Sequence, residues 1–201
     1  MSTDVNRLVK RYPTLYHMAH KGSWPSIMKH GLLSTTALLD LFQISGADRR
    51  SLEEQLRLRS EPIRHPEYGK AVVRDQKPMT EPGLRNALQD GLTQREWLLI
   101  LNSKAFFWLT RARLDGLLSA RPYRALRHDV LTVDTKLLLE RHSSRVRLCH
   151  MNSGCTQRSH PRGRRTFLPM EEYPFGSPGF DVGRRVEVGR GVQAPGGSSV
   201  R

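Results

Sequence analysis

The sequence has little cysteine and no long hydrophobic run. No apolar stretch approaches the roughly 18 residues that a transmembrane helix needs, and residues 1–11 lack the apolar segment of a signal peptide. The two cysteines, Cys149 and Cys155, exclude a disulfide framework. We therefore expect a protein without a membrane segment or an export signal, in a reducing cytoplasm.

Apolar and acidic residues are also scarce. Hydrophobic residues make up 37% of the 201 positions, and this low fraction predicts that part of the chain is not packed. There are 33 Lys+Arg against 19 Asp+Glu, a net charge of +14, and 26 of the cations are arginine. Because arginine binds phosphates bidentately and releases counterions, the excess favours a nucleic acid or a nucleotide as partner. Coding bias of a genome is the alternative explanation.

Several common catalytic signatures are absent as well. The sequence contains no Walker lysine loop, dinucleotide glycine fingerprint, zincin helix or nucleophile elbow. Their absence excludes the commonest classes of NTPase, dehydrogenase, metalloprotease and hydrolase. Cys149, His150, Cys155 and His160 form a possible metal set, but the cysteines are too widely spaced for a zinc knuckle. We predict no metal site.

What the sequence does contain is an irregular alternation of short helices and strands. Strands are predicted at 15–19, 70–73, 105–109, 130–133, 146–149 and 166–168, with helices between most of them. The run 105–109 is the most apolar and predicts a buried central strand. Such a mixture indicates an α+β domain rather than a doubly wound parallel sheet.

Local signals place several boundaries. Capping boxes at 51–54 and 93–96 predict helices that run to about Arg59 and to Leu101. The stretch 61–69, with two prolines and a terminal glycine, predicts a loop. After Tyr173 the chain becomes rich in Gly, Pro, Ser and Arg, so we predict an ordered domain over residues 1–173 and a flexible tail over 174–201.

Two polar positions have the chemistry of a binding site. His17, inside the first strand, can hydrogen-bond a ribose hydroxyl or an amide, although a core histidine bound to a backbone carbonyl is the alternative. Arg74 opens an Arg-Asp-Gln segment at the end of a strand, where arginine can hold a diphosphate or a carboxylate. A structural ion pair between Arg74 and Asp75 is the alternative there.

Charge is concentrated toward the C-terminus. Residues 141–201 contain 11 arginines and 4 acidic residues, which is half of the net charge. We predict a nucleic-acid-binding loop whose residues are Arg158, Arg162, Arg164 and Arg165; a solvated loop is the alternative.

An acidic pair follows that loop. A carboxylate from Glu171 or Glu172 can stabilise an oxocarbenium-like centre or act as a general base. Two exposed glutamates that offset the arginines are the alternative.

The order of these motifs resembles that of the DarT-type DNA ADP-ribosyltransferases. In that family a Tyr-His strand, here Tyr16-His17, is followed by a helix that ends in a turn like Gly31-Leu32-Leu33. The run 106–111, Phe-Phe-Trp-Leu-Thr-Arg, resembles the family's aromatic strand and its following arginine. The chain is similar also to an uncharacterised bacterial family with the same Tyr-His, Arg-Asp-Gln and Phe-Phe-Trp segments.

The resemblance implies a fold and an activity. The fold is an ADP-ribosyltransferase-like split β-sheet core with surrounding helices, which binds NAD+ as a substrate. The activity is transfer of ADP-ribose to nucleic acid, with DNA bases as the first expectation. The alternatives are a non-catalytic nucleic-acid-binding protein on the same scaffold and ADP-ribosyl transfer to a protein or a small molecule.

The resemblance also implies site residues. His17 would hold the ribose and nicotinamide side of NAD+, and Arg74 would lie near the phosphates and the scissile bond. Tyr16 or Trp108 would stack on nicotinamide. The family's catalytic glutamate has no counterpart at Arg164-Arg165-Thr166. Either Glu171 or Glu172 takes its place, or Thr166 does a lesser job, or catalysis is lost.

Overall fold

We analysed a computed structural model of the protein, which describes residues 3–157, 160–177 and 185–189. These residues form a mixed α+β fold, as the sequence predicts. The helices are α1 (Thr3–Arg11), α2 (Trp24–His30), α3 (Thr35–Leu41), α4 (Gly46–Glu53), α5 (Glu81–Ala87), α6 (Gln94–Asn102), α7 (Arg111–Leu118) and α8 (Thr135–His142). The strands are β1 (Thr14–His20), β2 (Glu61–His65), β3 (Gly69–Val73), β4 (Lys104–Trp108), β5 (His128–Asp134), β6 (Val146–Cys149), β7 (Leu168–Pro169) and β8 (Arg185–Gly189).

Six strands form one sheet in the order β5-β1-β4-β8-β6-β7, and every neighbouring pair is antiparallel. The aromatic run of β4 is an interior strand, which confirms the prediction from its apolar character. β2 and β3 form a separate antiparallel hairpin.

The sheet is nearly divided between β1 and β4. β1 pairs with β5 along its whole length, from Thr14 opposite Asp134 to His20 opposite His128. In contrast, β1 meets β4 at a single residue pair, Tyr16 opposite Trp108. The two halves of the sheet therefore separate beyond this pair, and the gap between them is where a cleft opens.

The strand β8 lies within the stretch 174–201 that the sequence predicts as a flexible tail. Its residues pair with β4 on one side and with β6 on the other, so it is a central strand of the sheet. The Gly/Arg-rich composition of the flanking sequence predicts disorder, but two neighbouring strands supply the hydrogen bonds that hold these five residues. The rest of the predicted tail from 178 onward lies outside the described residues.

Two further predictions around residues 51–69 are wrong. α4 ends at Glu53, so the capping box at 51–54 lies in the last turn of a helix rather than at the start of one. The stretch 61–69 is a β-hairpin: Pro62 lies within β2, and Gly69, with a φ of 79°, opens β3. A two-stranded hairpin tolerates proline because one edge of each strand needs no partner.

Other local signals agree with the structure. At the start of α6, Thr93 and Glu96 form the reciprocal capping box, in which each side chain accepts a hydrogen bond from the other residue's backbone N–H. The α2 helix ends at His30 and is capped by Gly31, whose φ of 86° lies in the region that favours glycine. Among the described residues, no helix combines the length and the apolar character that crossing a membrane requires.

The buried hydrophobic side chains of the described residues form three clusters. The largest cluster joins α1, α2 and α8 to the main sheet and includes Leu15, Phe107 and Val146, all fully buried. A second cluster under α5 and α6 is centred on Trp97, which stacks on Phe167 at 5.6 Å between ring centroids. A third packs α3 against the β2–β3 hairpin. The hairpin is thus held beside the gap between β1 and β4.

Candidate functional site

A cleft of about 260 Å³ lies where the hairpin faces the divided sheet. Its walls come from β1, α2, the end of β3 and β4, together with part of the segment between α7 and β5. Three of the residues predicted to bind NAD+ line this cleft, namely His17, Arg74 and Trp108. They lie on separate elements, and only the folded chain brings them together.

His17 spans the gap between the two halves of the sheet. Its Nδ1 lies 2.8 Å from the carbonyl oxygen of Phe106 on β4, and its ring lies 5.9 Å from that of Phe107. Because a carbonyl only accepts, Nδ1 must carry the proton, and Nε2 is then the acceptor of the neutral ring. The Nδ1 side of the ring therefore binds a backbone carbonyl, as expected for a core histidine. His17 also lines the cleft.

Arg74 projects from the end of β3. Its guanidinium lies over the ring of Tyr123, 5.4 Å from the ring centroid, and its Nη1 lies 3.4 Å from Nδ1 of His128. Its Nε is 3.9 Å from a carboxylate oxygen of Asp75 and, among the described residues, has no hydrogen-bond partner although it is buried. Buried donors are almost always satisfied, so this nitrogen is a buried donor that the described part of the fold leaves without a hydrogen bond.

Asp75 is a structural acceptor. Ser60 Oγ donates to its Oδ2 at 2.8 Å, and the Tyr123 hydroxyl donates to its Oδ1 at 2.8 Å. Burial alone would raise the pKa of Asp75, but the hydrogen bonds from Tyr123 and Ser60 and the neighbouring Arg74 outweigh it and lower the pKa. Burial and the bond to Asp75 raise the pKa of Tyr123, so the phenol keeps its proton. This carboxylate is fixed and ionised.

A second buried network fixes the backbone on which Arg74 stands. The Arg57 guanidinium donates to the Arg74 carbonyl at 3.1 Å, to Asn102 Oδ1 at 2.8 Å and to the carbonyl of Leu52. The backbone N–H of Arg57 also donates to the Gln76 side chain at 3.0 Å. Burial lowers the pKa of Arg57 to about 10, which still leaves it charged at neutral pH. The end of β3 is therefore tied to α6.

The charge of the cleft is positive. Its lining contains Arg57, Arg74, Lys77 and Lys104, and among the described side chains Asp75 is the one acidic residue that lines it. A site of this charge attracts anions. Within the part of the chain that the structure describes, no group of three His, Cys, Asp or Glu side chains could hold a metal ion.

The remaining predicted residues lie elsewhere. Tyr16 faces Trp108 across the junction of the two half-sheets but does not line the cleft. Glu171 and Glu172 are exposed in a short 3-10 turn after β7, the edge strand three positions from β4. Glu172 lies 3.5 Å from Arg165. The structure therefore does not bring this pair of carboxylates to His17 and Arg74, because β8 and β6 stand between them.

The predicted basic loop is only partly a surface. Arg162 is 1% exposed: it donates to the carbonyls of Ser153 at 3.0 Å and Cys155 at 2.9 Å, and its guanidinium lies over Trp97. A buried guanidinium cannot contact a phosphate backbone, so a structural role replaces the predicted one for Arg162. Burial also lowers its pKa.

Two other arginines of that loop are exposed. Arg164 lies 3.7 Å from Glu96, and Arg165 lies near Glu172. Each is therefore partly neutralised by a surface carboxylate. Arg158 lies outside the described residues.

Sequence reasoning missed the residues that hold the site together. Tyr123 and His128 support Arg74 from a segment about 50 positions later, at separations of 48 for the bond to Asp75 and 54 for the bond to Arg74. Arg57 and Asn102 are joined across 45 positions. No local pattern marks such contacts; the one available signal was the cluster of polar residues in Arg-Asp-Gln, which needs partners once buried.

Of the comparisons with known proteins, the one with protein families identifies the family of the chain. No curated protein and no solved structure matches it. A family model matches residues 13–185, from the position before β1 to the first residue of β8, and this span contains every described residue that lines the cleft. The chain belongs to that family, which is described as a family of unknown function (DUF7002).

Proposed function

We propose that the protein is an NAD+-dependent ADP-ribosyltransferase that modifies nucleic acid. The observation that carries the proposal is the cleft, where His17, Arg74 and Trp108 meet although they come from separate elements. The division of the sheet at the Tyr16–Trp108 pair supports the split-sheet core that the resemblance implies. The positive lining suits a substrate with a diphosphate.

Each of the three residues has a role in this proposal. Arg74 holds the diphosphate, since its side chain lines the cleft and a guanidinium binds phosphate oxygens bidentately. His17 is held by Phe106 so that Nε2 accepts a hydrogen bond from a ribose hydroxyl. Trp108 offers an aromatic face for nicotinamide. The cleft is smaller than the roughly 300–1,000 Å³ of most ligand sites, so we assign it to the nicotinamide ribose and the phosphates.

The reaction exchanges one bond at C1 of the ribose for another. The bond from C1 to nicotinamide breaks, nicotinamide leaves with the electron pair, and a nucleophilic atom of the acceptor bonds to C1 and loses its proton. Positive charge develops on the ribose in the transition state, so an oriented ribose and a nearby carboxylate lower the barrier.

We assign the role of this carboxylate to a residue other than Asp75. Both oxygens of Asp75 accept hydrogen bonds from the fold, from Ser60 and from Tyr123. The β8 strand offers Glu187, which the register places directly opposite Phe106, the residue that binds His17. We therefore propose Glu187 as the carboxylate.

The test is mass spectrometry of NAD+ incubated with the protein and a short DNA or RNA. We expect free nicotinamide and an oligonucleotide that gains one ADP-ribose. Arg74→Gln, His17→Ala and Glu187→Gln should each reduce product formation by roughly 100-fold or more, the typical effect of removing one transition-state contact. Glu61→Gln, which removes an exposed carboxylate from β2, is the matched control and should retain activity.

Three outcomes would contradict this assignment. Loss of activity in Glu171→Gln or Glu172→Gln, with activity retained in Glu187→Gln, would return the catalytic role to that pair. Saturable binding of the oligonucleotide without any NAD+ turnover would select the non-catalytic nucleic-acid-binding protein instead. NAD+ consumption that is indifferent to nucleic acid would select a protein or small-molecule acceptor.

A further inference from the structure

A second arginine-rich segment lies beside the cleft, in the 119–127 loop between α7 and β5. Arg121, Arg124 and Arg127 are all exposed, and none forms an ion pair with a described residue. The nearest acidic residues along the chain are engaged elsewhere: Asp115 pairs with Arg111 at 2.8 Å, and Asp129 accepts from the Trp24 N–H at 3.0 Å. The loop therefore presents three cations without local neutralisation.

Tyr123 anchors the loop to the residues beside Arg74. The Tyr123 side chain is buried, and its hydroxyl lies within hydrogen-bond distance of Asp75 and of the Lys77 carbonyl. Its own carbonyl accepts from the Leu126 N–H at 2.9 Å and lies 3.1 Å from Nε2 of His128. A loop that is already ordered loses little further entropy when a ligand binds.

The same contacts place the loop at the cleft. Tyr123 lines the cleft beneath the guanidinium of Arg74, and His128, which closes the loop, lies 3.4 Å from that guanidinium. His128 is also opposite His20 in the β1–β5 ladder, and His20 lines the cleft. A chain bound along the loop would thus pass the mouth of the cleft.

One apolar side chain accompanies the three arginines. Leu126 is 57% exposed, between Arg124 and Arg127 in sequence. A single leucine is too small a face for a lipid surface, which requires a continuous apolar stripe. It is enough to pack against one base of an oligonucleotide whose phosphates are bound on either side.

We infer that the 119–127 loop is a docking surface for a nucleic-acid backbone and delivers the acceptor to the cleft. Arg121, Arg124 and Arg127 bind successive phosphates, and Leu126 contacts a base. The identity of the bound chain as the acceptor rests on the proposed function, whereas the binding itself does not. This surface differs from the predicted one at 158–165, where Arg162 is buried and Arg164 and Arg165 lie near carboxylates.

The test compares two triple variants of the full chain with equal net charge. In the loop variant, Arg121, Arg124 and Arg127 are changed to Gln. In the control variant, three exposed arginines away from the cleft are changed to Gln, namely Arg59, Arg64 and Arg85. Binding of a fluorescent single-stranded DNA is measured by anisotropy across a salt series, without NAD+.

We expect the loop variant to bind the DNA at least roughly tenfold more weakly than the parent chain. The slope of log K against log salt should decrease in magnitude by about 2, the value for three lost phosphate contacts. The control variant should bind nearly as the parent chain does. Equal weakening in both variants would overturn the inference, because only overall charge would then matter. Equal competition by polyglutamate, or tighter binding to anionic vesicles than to DNA, would overturn the choice of nucleic acid.

Failure of this inference and failure of the proposed function give different results. If both triple variants bind DNA alike and the parent chain still turns over NAD+, only the docking surface is wrong. If the loop variant loses DNA binding and the parent chain shows no NAD+ turnover, only the proposed reaction is wrong.

Discussion

Arg57 and Arg162 bind backbone carbonyls with buried guanidinium groups, whereas Arg74 keeps a buried Nε that has no hydrogen-bond partner among the described residues. Removing an arginine of the first kind leaves carbonyls unsatisfied and weakens the fold. Removing Arg74 leaves Asp75 with its bonds from Ser60 and Tyr123 and should mainly affect binding. The same residue type therefore has separate roles, which burial and partners distinguish.

Tyr123 is the residue whose loss should affect the site most through structure. We expect Tyr123→Phe to destabilise the protein at neutral pH by about 1.5–3 kcal/mol, because Asp75 loses a donor to its ionised carboxylate. The pKa of Asp75 lies below its ordinary value, so its ionised form contributes stability that is lost as pH falls. The destabilisation should therefore shrink below pH 3.8, the ordinary pKa of this carboxyl. Urea unfolding of the parent chain and of Tyr123→Phe, at neutral pH and below pH 3.8, measures the difference in their free energies of unfolding.

The control for that measurement is Tyr68→Phe. Tyr68 is half-buried and its hydroxyl has no hydrogen bond within the described part of the chain, so loss of that hydroxyl should change stability by no more than about 0.5 kcal/mol. Equal effects of the two substitutions, or an effect of Tyr123→Phe that does not depend on pH, would show that the bond to Asp75 carries no charge-assisted stability.

At the scale of elements, local signals were sufficient where the partners are local. The Thr93–Glu96 capping box and the apolar run of β4 were predicted from sequence because cap and burial pattern lie within a few residues. β2 was missed because prolines at 62 and 66 resemble a loop, although the hairpin is stabilised by packing against α3. β8 was missed because glycine and arginine surround the alternating Val186 and Val188, and its partners are about 40 and 80 positions away.

The central place of β8 leads to a prediction about truncation. A chain that ends at residue 177 should be destabilised by at least roughly 3 kcal/mol or aggregate, because β4 and β6 both lose their partner strand and become exposed edges. A chain that ends at residue 192 retains β8 and should unfold as the full protein does. Circular dichroism in urea compares the two chains. Equal unfolding midpoints would show that the sheet is complete without β8 and that the sequence-based boundary at 173 was sufficient.

At the scale of the whole molecule, the positive charge behind the net value of +14 lies in several different environments. Part of it is buried in Arg57 and Arg162, part lines the cleft, and part is exposed on the 119–127 loop. Composition predicted a polyanionic partner but not this division. Motif order singled out His17 and Arg74, which the structure places in one cleft. Glu171 and Glu172 lie apart from them because β8 and β6 stand between β4 and β7, and this insertion has no local signal in the sequence.

Ligand binding to a cleft shared by the hairpin and both halves of the sheet should stabilise the whole chain. At 100 times its Kd, NAD+ should add about 2.7 kcal/mol to the free energy of unfolding, which for a protein of this size raises Tm by roughly 5–10 °C. Arg74→Gln should abolish most of this shift, because the phosphates lose their bidentate partner. Arg85→Gln removes an exposed arginine of α5 that does not line the cleft, so it should keep the shift. Differential scanning fluorimetry with and without NAD+ measures all three proteins. A shift of the same size in both variants would place NAD+ outside this cleft, and no shift in the parent chain at millimolar NAD+ would remove NAD+ as its ligand.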